Sequence, residues 1–273
     1  MVRGFVFDMD GTLVVGKADG GGYRLLPGVR PLIESLRERR LPFLVFTNGT
    51  AQSPAHYAAH LAEAGLTLEP GQMMTPSSVA ADHFLASGLR RILLLGIDGT
   101  GAPLRDAGLE IIRPGDSGPI DAVYVGWHPG FGMADLQAAI DAVLIGAPFY
   151  VSSDVPFFFT SSGRALGVSR LIAAAITSAT GRRPRVLGKP ASLAARVSAR
   201  RLGCRASELA IIGDDPRLEI VMARRVGAIG IAVTTGLTDR AGWAAQPPGR
   251  TAHRIVDRLE DLVPMGLLDG RIG

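Results

Sequence analysis

The chain has 273 residues, of which 47% are hydrophobic, 20% charged and 6% aromatic, a globular composition that excludes a disordered or fibrous protein. At roughly 100–200 residues per domain, this length predicts one large domain or two smaller ones, each with a buried core. The net charge is +4, and of the 29 basic residues only Lys17 and Lys189 are lysines, the other 27 being arginines. The arginines are spread from Arg3 to Arg271 with only short clusters, so a pI near 9.7 comes without the dense patch of a nucleic-acid binder, and no nucleic-acid partner is expected. The single cysteine, Cys204, permits no internal disulfide and points to a reducing, cytoplasmic setting. The chain runs from Met1 directly into an apolar segment ending at Asp8, which reads as a strand and not as a signal peptide. No apolar run approaches the ~18 residues that would cross a bilayer, so no membrane association is expected.

Apolar runs rich in Val, Ile, Leu and Phe alternate with helix-period segments along the chain. In order they predict a strand at 4–7, a helix at 29–39, a strand at 42–46, helices at 54–64 and 77–86, and strands at 91–95 and 122–125. A helix at 134–144, a strand at 148–152, a helix at 168–180 and a strand at 185–187 follow. The chain then reads as a helix at 192–201, a strand at 209–212, a helix at 216–226 and a strand at 229–233. Ser53-Pro54 and Asp215-Pro216 each place a capping side chain before a proline at the first helical position. The only low-complexity tract is Gly20-Gly21-Gly22. This alternation is that of an α/β protein with a doubly wound, mostly parallel sheet.

Three polar clusters directly follow apolar runs: Asp8-Met9-Asp10-Gly11-Thr12, Thr47-Asn48-Gly49-Thr50 and Gly213-Asp214-Asp215. In a parallel α/β sheet such loops share one rim beyond the carboxyl ends of the strands, where ligands bind. Two clusters precede residue 75 and the third follows 205, which predicts a core of residues 1–75 and 188–273 interrupted by a separate α/β domain of residues 76–187. Taken alone, Asp8 and Asp10 read either as a carboxylate pair aimed at a metal and a substrate or as an Asx turn capping a helix.

In context, Phe5-Val6-Phe7-Asp8-Met9-Asp10-Gly11-Thr12-Leu13 resembles the DxDGT motif of the haloacid dehalogenase superfamily. Phe46-Thr47-Asn48-Gly49-Thr50, Gly188-Lys189-Pro190 and Ile211-Ile212-Gly213-Asp214-Asp215 resemble its second, third and fourth motifs, in the same order. The resemblance implies a phosphatase acting on a small phosphorylated metabolite, with Asp8 as the nucleophile that takes the phosphoryl group and Asp10 as general acid and then base. It implies Mg²⁺ held by Asp8, the main-chain carbonyl of Asp10 and Asp214. It also implies a phosphate cradle from Thr47, Asn48 and Lys189, with Thr12 pinning Asp10 and the turn. In a chain this poor in lysine, Lys189 between Gly188 and Pro190 is a selected ammonium and Lys17 is a solvated surface charge.

The inserted segment, with Asp121 to Phe131, Gly146 to Asp154, and Gly163 and Gly167 before a helix, resembles the cap of the NagD-like class IIA phosphatases. That resemblance implies a homodimer formed through the cap. Trp127, His128, Asp154 and the run Phe157-Phe158-Phe159 are candidates for contact with the leaving group. Several positions depart from the family pattern. Gly49 stands where a second Asn is usual, Asp215 where Arg is usual, and Glu219 where an Asp, one methylene shorter, is usual. Asp215 reads either as added charge around the metal or as a helix cap. The altered fourth motif leaves a second reading, a catalytically weak relative that binds phosphometabolites or a partner protein.

Overall fold

The computed structural model describes residues 1–17, 22–160 and 163–262. Gly20 and Gly21 of the glycine tract, and residues 263–273 of the last predicted segment, lie outside the described residues. The chain divides into two compact units, one of Met1–Thr47, Tyr57–Met74 and Lys189–Gly273, the other of Asn48–His56 and Thr75–Gly188.

In chain order the strands are β1 (Gly4–Phe7), β2 (Val14–Gly16), β3 (Tyr23–Leu25), β4 (Phe43–Phe46), β5 (Met73–Met74), β6 (Arg91–Leu95), β7 (Glu110–Ile112) and β8 (Ala122–Val125). They continue with β9 (Phe149–Val151), β10 (Phe157–Thr160), β11 (Gly163–Leu166), β12 (Arg185–Val186), β13 (Leu209–Gly213), β14 (Ile229–Val233) and β15 (Arg254–Val256). The helices are α1 (Val29–Glu38), α2 (Pro54–Glu63), α3 (Pro76–Ala86), α4 (Asp98–Asp106), α5 (Met133–Leu144), α6 (Val168–Thr180), α7 (Ser192–Arg201), α8 (Val221–Val226) and α9 (Arg240–Ala244).

The first unit is built on a six-stranded sheet in the order β15-β14-β13-β1-β4-β5, parallel at every pairing. Its central strands β1, β4 and β13 are buried along their whole length, which is why they read in the sequence as continuous apolar runs and not as alternating ones. In α1, Val29, Leu32, Ile33 and Leu36 are buried, a one-sided stripe at helical spacing that packs with Phe5, Phe7 and Val45 in one core. Each such side chain stabilises the fold by about 1.5–3 kcal/mol on burial. The strand order reverses direction at β13-β1-β4, and the crevice expected at such a switch point lies beyond the carboxyl ends of these strands.

The second unit has its own five-stranded parallel sheet, ordered β12-β9-β8-β6-β7. Leu93, Val123, Val151, Ile172 and Ile176 fill its core. Elsewhere in this unit the buried Tyr124 and Tyr150 bond to Ser77 and His83 at 3.1 and 3.2 Å, so both phenols are satisfied.

The segment predicted as one helix at 216–226 is a π-helical turn, Pro216–Ile220, followed by α8. Pro216 has no N–H to give and the Asp215 carboxylate accepts the Arg217 N–H at 2.8 Å, so the helix opens on a wider turn. Ser53 accepts from the His56 N–H at 3.2 Å, as its capping position predicted. Among the described residues no helix is long and apolar enough to cross a membrane.

Candidate active site

Asp8 leaves β1 with its N–H donating to the Ile212 carbonyl of β13 at 2.8 Å, so the sheet itself sets the height of its carboxylate. The residue is 8% exposed. Lys189 Nζ pairs with its Oδ1 and Thr12 Oγ1 donates to its Oδ2 at 3.3 Å. Thr12 therefore pins Asp8, where the sequence pointed to Asp10. The cause is the turn: Gly11 adopts φ +74°, a conformation that favours glycine, its N–H donates to the Val14 carbonyl at 2.8 Å, and Thr12 is brought back under the carboxylate four residues behind it.

A lysine between a glycine and a proline would ordinarily stand in a solvated loop. Lys189 is instead 2% exposed, with Glu219 Oε1 2.6 Å from its ammonium and the Phe46 ring centroid at 5.8 Å, within the range of cation–π attraction. Burial pulls the lysine pKa down, but the charges and hydrogen bonds of Asp8 and Glu219 overcome it and hold the ammonium protonated, above its usual value.

Glu219 is as buried as the lysine, and its side chain folds back over β13. A Cβ on Gly213 would stand 2.1 Å from Glu219 Cγ, so the longer acid is accommodated only because residue 213 is glycine. Its other oxygen accepts the Asp215 N–H at 3.2 Å. Asp215 itself pairs with the Arg217 guanidinium at 3.2 Å and caps the π-helical turn. It also adds to the negative charge felt by Asp214.

Asp214 follows β13 and accepts the Leu237 N–H at 2.7 Å. A Cβ on Gly11 or Gly236 would stand 2.2 or 2.0 Å from its Oδ2, so two glycines make room for it. Thr235 Oγ1 donates to the Gly11 carbonyl at 2.7 Å and ties this loop to the first turn. Thr235, Gly236 and Leu237 were missed from sequence. The signal was present, since Thr234-Thr235-Gly236 is a polar cluster directly after the apolar run of β14.

Burial, and then the crowding of carboxylates around one cation, raises three carboxyl pKa values. Asp10 is pushed up to about 7 by desolvation and then by the Asp8 charge, with Lys189 opposing. Asp214 is pushed to about 7 by burial and Asp8. Glu219 is pushed to about 8 because burial outweighs its bond to Lys189. Among the described residues no three His, Cys, Asp or Glu side chains form a metal cage by themselves. Two carboxylates and a main-chain carbonyl suit Mg²⁺ better than a full cage would, since this ion keeps several waters and takes only one or two carboxylates.

Thr47 follows β4, and its N–H donates to the Met74 carbonyl at 3.2 Å. The first unit thus brings together Asp8, Asp10, Thr12, Lys189, Asp214, Asp215 and Glu219, with Thr47 on the same strand-end rim. Asn48, Trp127, His128 and Asp154 belong to the second unit. There the Trp127 N–H donates to Thr50 Oγ1 at 3.0 Å and its ring meets Phe158 edge-on at 5.7 Å. His128 lies 3.5 Å from Asp135. Asp154 faces Arg170 across an exposed 3.5 Å pair.

A family model for haloacid dehalogenase-like hydrolases matches residues 5–110, and one for HAD-hydrolase-like proteins matches residues 186–262. The chain is 27% identical to dihydroxyacetone phosphatase of Corynebacterium glutamicum, over 94% of this chain and 90% of that protein. It is 31% identical to D-glycerol 3-phosphate phosphatase of Mycobacterium tuberculosis, over 88% of this chain and 64% of that protein. Among solved structures, a glycerol phosphate phosphatase from Mycobacterium tuberculosis in complex with magnesium superposes with a TM-score of 0.81 at 28% identity, over 96% of this chain and 77% of that one. NagD from Escherichia coli K-12 shares the fold, with a TM-score of 0.81 at 20% identity over 95% and 97% of the two chains. The protein belongs to the haloacid dehalogenase-like hydrolases.

Proposed function

We infer that the protein hydrolyses phosphomonoesters of small metabolites through an aspartyl-phosphate on Asp8, with Mg²⁺ held by Asp8, the Asp10 carbonyl and Asp214. It is a phosphoric monoester hydrolase of the haloacid dehalogenase type. The reading rests above all on the buried Asp8 carboxylate, oriented by Lys189 and Thr12 at the carboxyl end of β1. When bound, Mg²⁺ neutralises the phosphate and the carboxylates around it, which otherwise repel each other.

The chain's own residues then act in two displacements. Asp8 attacks phosphorus and the ester P–O bond breaks. Asp10 gives its proton to the departing alkoxide, for which a pKa pushed up to about 7 keeps a sizeable fraction in the acid form at neutral pH. Asp10 next takes a proton from water, the hydroxide adds to phosphorus, and the bond to Asp8 breaks to release phosphate. Lys189 and the Thr47 hydroxyl hold phosphoryl oxygens, and Glu219 keeps the ammonium beside Asp8. Turnover of p-nitrophenyl phosphate with Mg²⁺, absent in EDTA and absent in Asp8→Asn, tests this reading. A folded protein without turnover under any of these conditions would favour the binding-protein alternative.

For the substrate we propose three-carbon phosphate esters, because the relatives above are a dihydroxyacetone phosphatase and a glycerol 3-phosphate phosphatase. Competition among dihydroxyacetone phosphate, glycerol phosphates and longer sugar phosphates, compared by kcat/KM, tests the choice. Pairing of two copies through the inserted unit is proposed from the family resemblance, with Leu144 and Ile145 of that unit 61% and 84% exposed. Sedimentation equilibrium decides it.

A further inference from the structure

The reaction accounts for one of the two lysines. The other, Lys17, follows β2 and lines a cavity of about 420 Å³ in the first unit together with Tyr23, Arg24, Arg30 and Glu63. Among the described residues three cations thus line one concavity with one carboxylate, Glu63. Several arginines elsewhere in this unit are engaged: Arg37 donates to the Thr67 carbonyl, Arg224 to the Thr251 carbonyl, and Arg205 and Arg217 to carboxylates. Among the described residues the side chains of Lys17, Arg24 and Arg30 make no hydrogen bond or ion pair. Like charges left unpaired around a depression repel each other, and an anion seated there relieves that repulsion.

Tyr23 adds a donor. Its ring lies 6.1 Å from that of His60, and burial, then the charges of Asp10 and Tyr57, raise its phenol above the usual pKa, so it stays neutral. The strand that carries it ties the cavity to the reaction turn, because β3 pairs with β2 and the Leu26 N–H that follows β3 donates to the Leu13 carbonyl at 2.9 Å.

We propose that this cleft is a second oxyanion site, separate from the phosphoryl crevice, that takes a doubly charged phosphate group through Lys17, Arg24, Arg30 and the Tyr23 hydroxyl. The proposal does not depend on the catalytic reading. In EDTA the crevice presents Asp8, Asp10, Asp214 and Glu219 against Lys189 and disfavours an anion, whereas the cleft keeps its positive balance. The anion is either a free phosphate acting as an effector or the distal phosphate of a doubly phosphorylated substrate.

Calorimetric titration of inorganic phosphate into the whole protein, in EDTA at low ionic strength, tests the site. Saturable one-to-one binding is expected, weakened about tenfold or more in the Lys17→Gln/Arg24→Gln/Arg30→Gln variant, with p-nitrophenyl phosphate turnover in Mg²⁺ retained. If the triple variant fails to fold, Arg30→Gln alone is expected to weaken binding several-fold. Absence of saturable binding overturns the proposal, as does binding unchanged in the variants, which would place the phosphate in the crevice. The two sources separate in kinetics. If the substrate's distal phosphate is the ligand, the triple variant raises KM for a bisphosphate and not for a monophosphate. If an effector is the ligand, added phosphate changes the wild-type rate and not that of the variant. Equal kinetics of wild type and triple variant in both arms would leave the cleft without the role proposed.

Discussion

A single ammonium, Lys189, serves two buried carboxylates, Asp8 and Glu219, and its compact shape is what permits this. Arginine carries the same charge on a wider planar fork, and a chain that uses arginine 27 times has nonetheless kept lysine at this position. Lys189→Arg is therefore expected to lower kcat/KM by about tenfold or more, equivalent to ~1.4 kcal/mol of transition-state stabilisation. Because the site is buried, it is also expected to lower the thermal midpoint, and wild-type kinetics in the variant would remove the lysine from the reaction. Glu219→Asp draws the acid back by one methylene from an ammonium now 2.6 Å away. A loss of kcat on the order of tenfold with KM little changed is expected, and steady-state kinetics checks it. The raised carboxyl groups make a pH prediction with a definite sign. Asp10 and Asp214 near 7 and Glu219 near 8 bind protons in the folded protein that the unfolded chain has already lost above ordinary carboxylate pKa values. Their contribution to stability is complete below about pH 4 and declines as pH rises through 7 to 8. In EDTA the midpoint of thermal unfolding is expected to fall from pH 5 to pH 8, and millimolar Mg²⁺ at pH 8 to restore it by mass action. A midpoint that rises across this window without metal would contradict the assignment.

At the scale of elements, the site depends on loops that approach each other where a side chain would intervene. The loop after β14 presses Gly236 against Asp214, and Gly236→Ala would place a methyl 2.0 Å from the carboxylate oxygen. The expected result is about a tenfold higher Mg²⁺ concentration for half-maximal activity, as for loss of a partner that orients a metal ligand, with little change in metal-free stability. Titration of activity with Mg²⁺ measures it. This loop also marks what the sequence made legible. Strands β1, β6, β8 and β14 were readable to the residue because continuous apolar runs have one explanation in a parallel sheet covered on both faces. The hairpins β2-β3 and β10-β11 and the edge strands β5, β7 and β15 were not read, since two to four residues are too few to show a period. Helix α4 was hidden by glycines at 99 and 101 and by Pro103 inside it. Asp8, Asp10, Lys189 and Asp214 were nominated by strand-end position and motif. The partner of Thr12 and the room Gly213 makes for Glu219 were not, because they depend on how two tight turns fold back on themselves, and the burial of Lys189 was not, because it depends on a contact with Asp8 181 residues away.

At the scale of the molecule, two sheets with separate cores divide the labour unequally, since the proposed nucleophile, general acid and metal donors all lie in the first unit while Trp127, His128 and Asp154 lie in the second. The chain has two tryptophans, and they are distributed one to each unit. Trp243, 2% exposed, donates its indole N–H to the Val233 carbonyl at 3.0 Å at the end of β14, and Trp127 follows β8. Each unit therefore carries its own intrinsic fluorophore. Trp127→Phe leaves a protein whose emission reports the first unit, and Trp243→Phe one that reports the second, with no label attached. Mg²⁺ is expected to raise the transition seen by Trp243 more than that seen by Trp127, and equal shifts would identify the two units as one cooperative melting body.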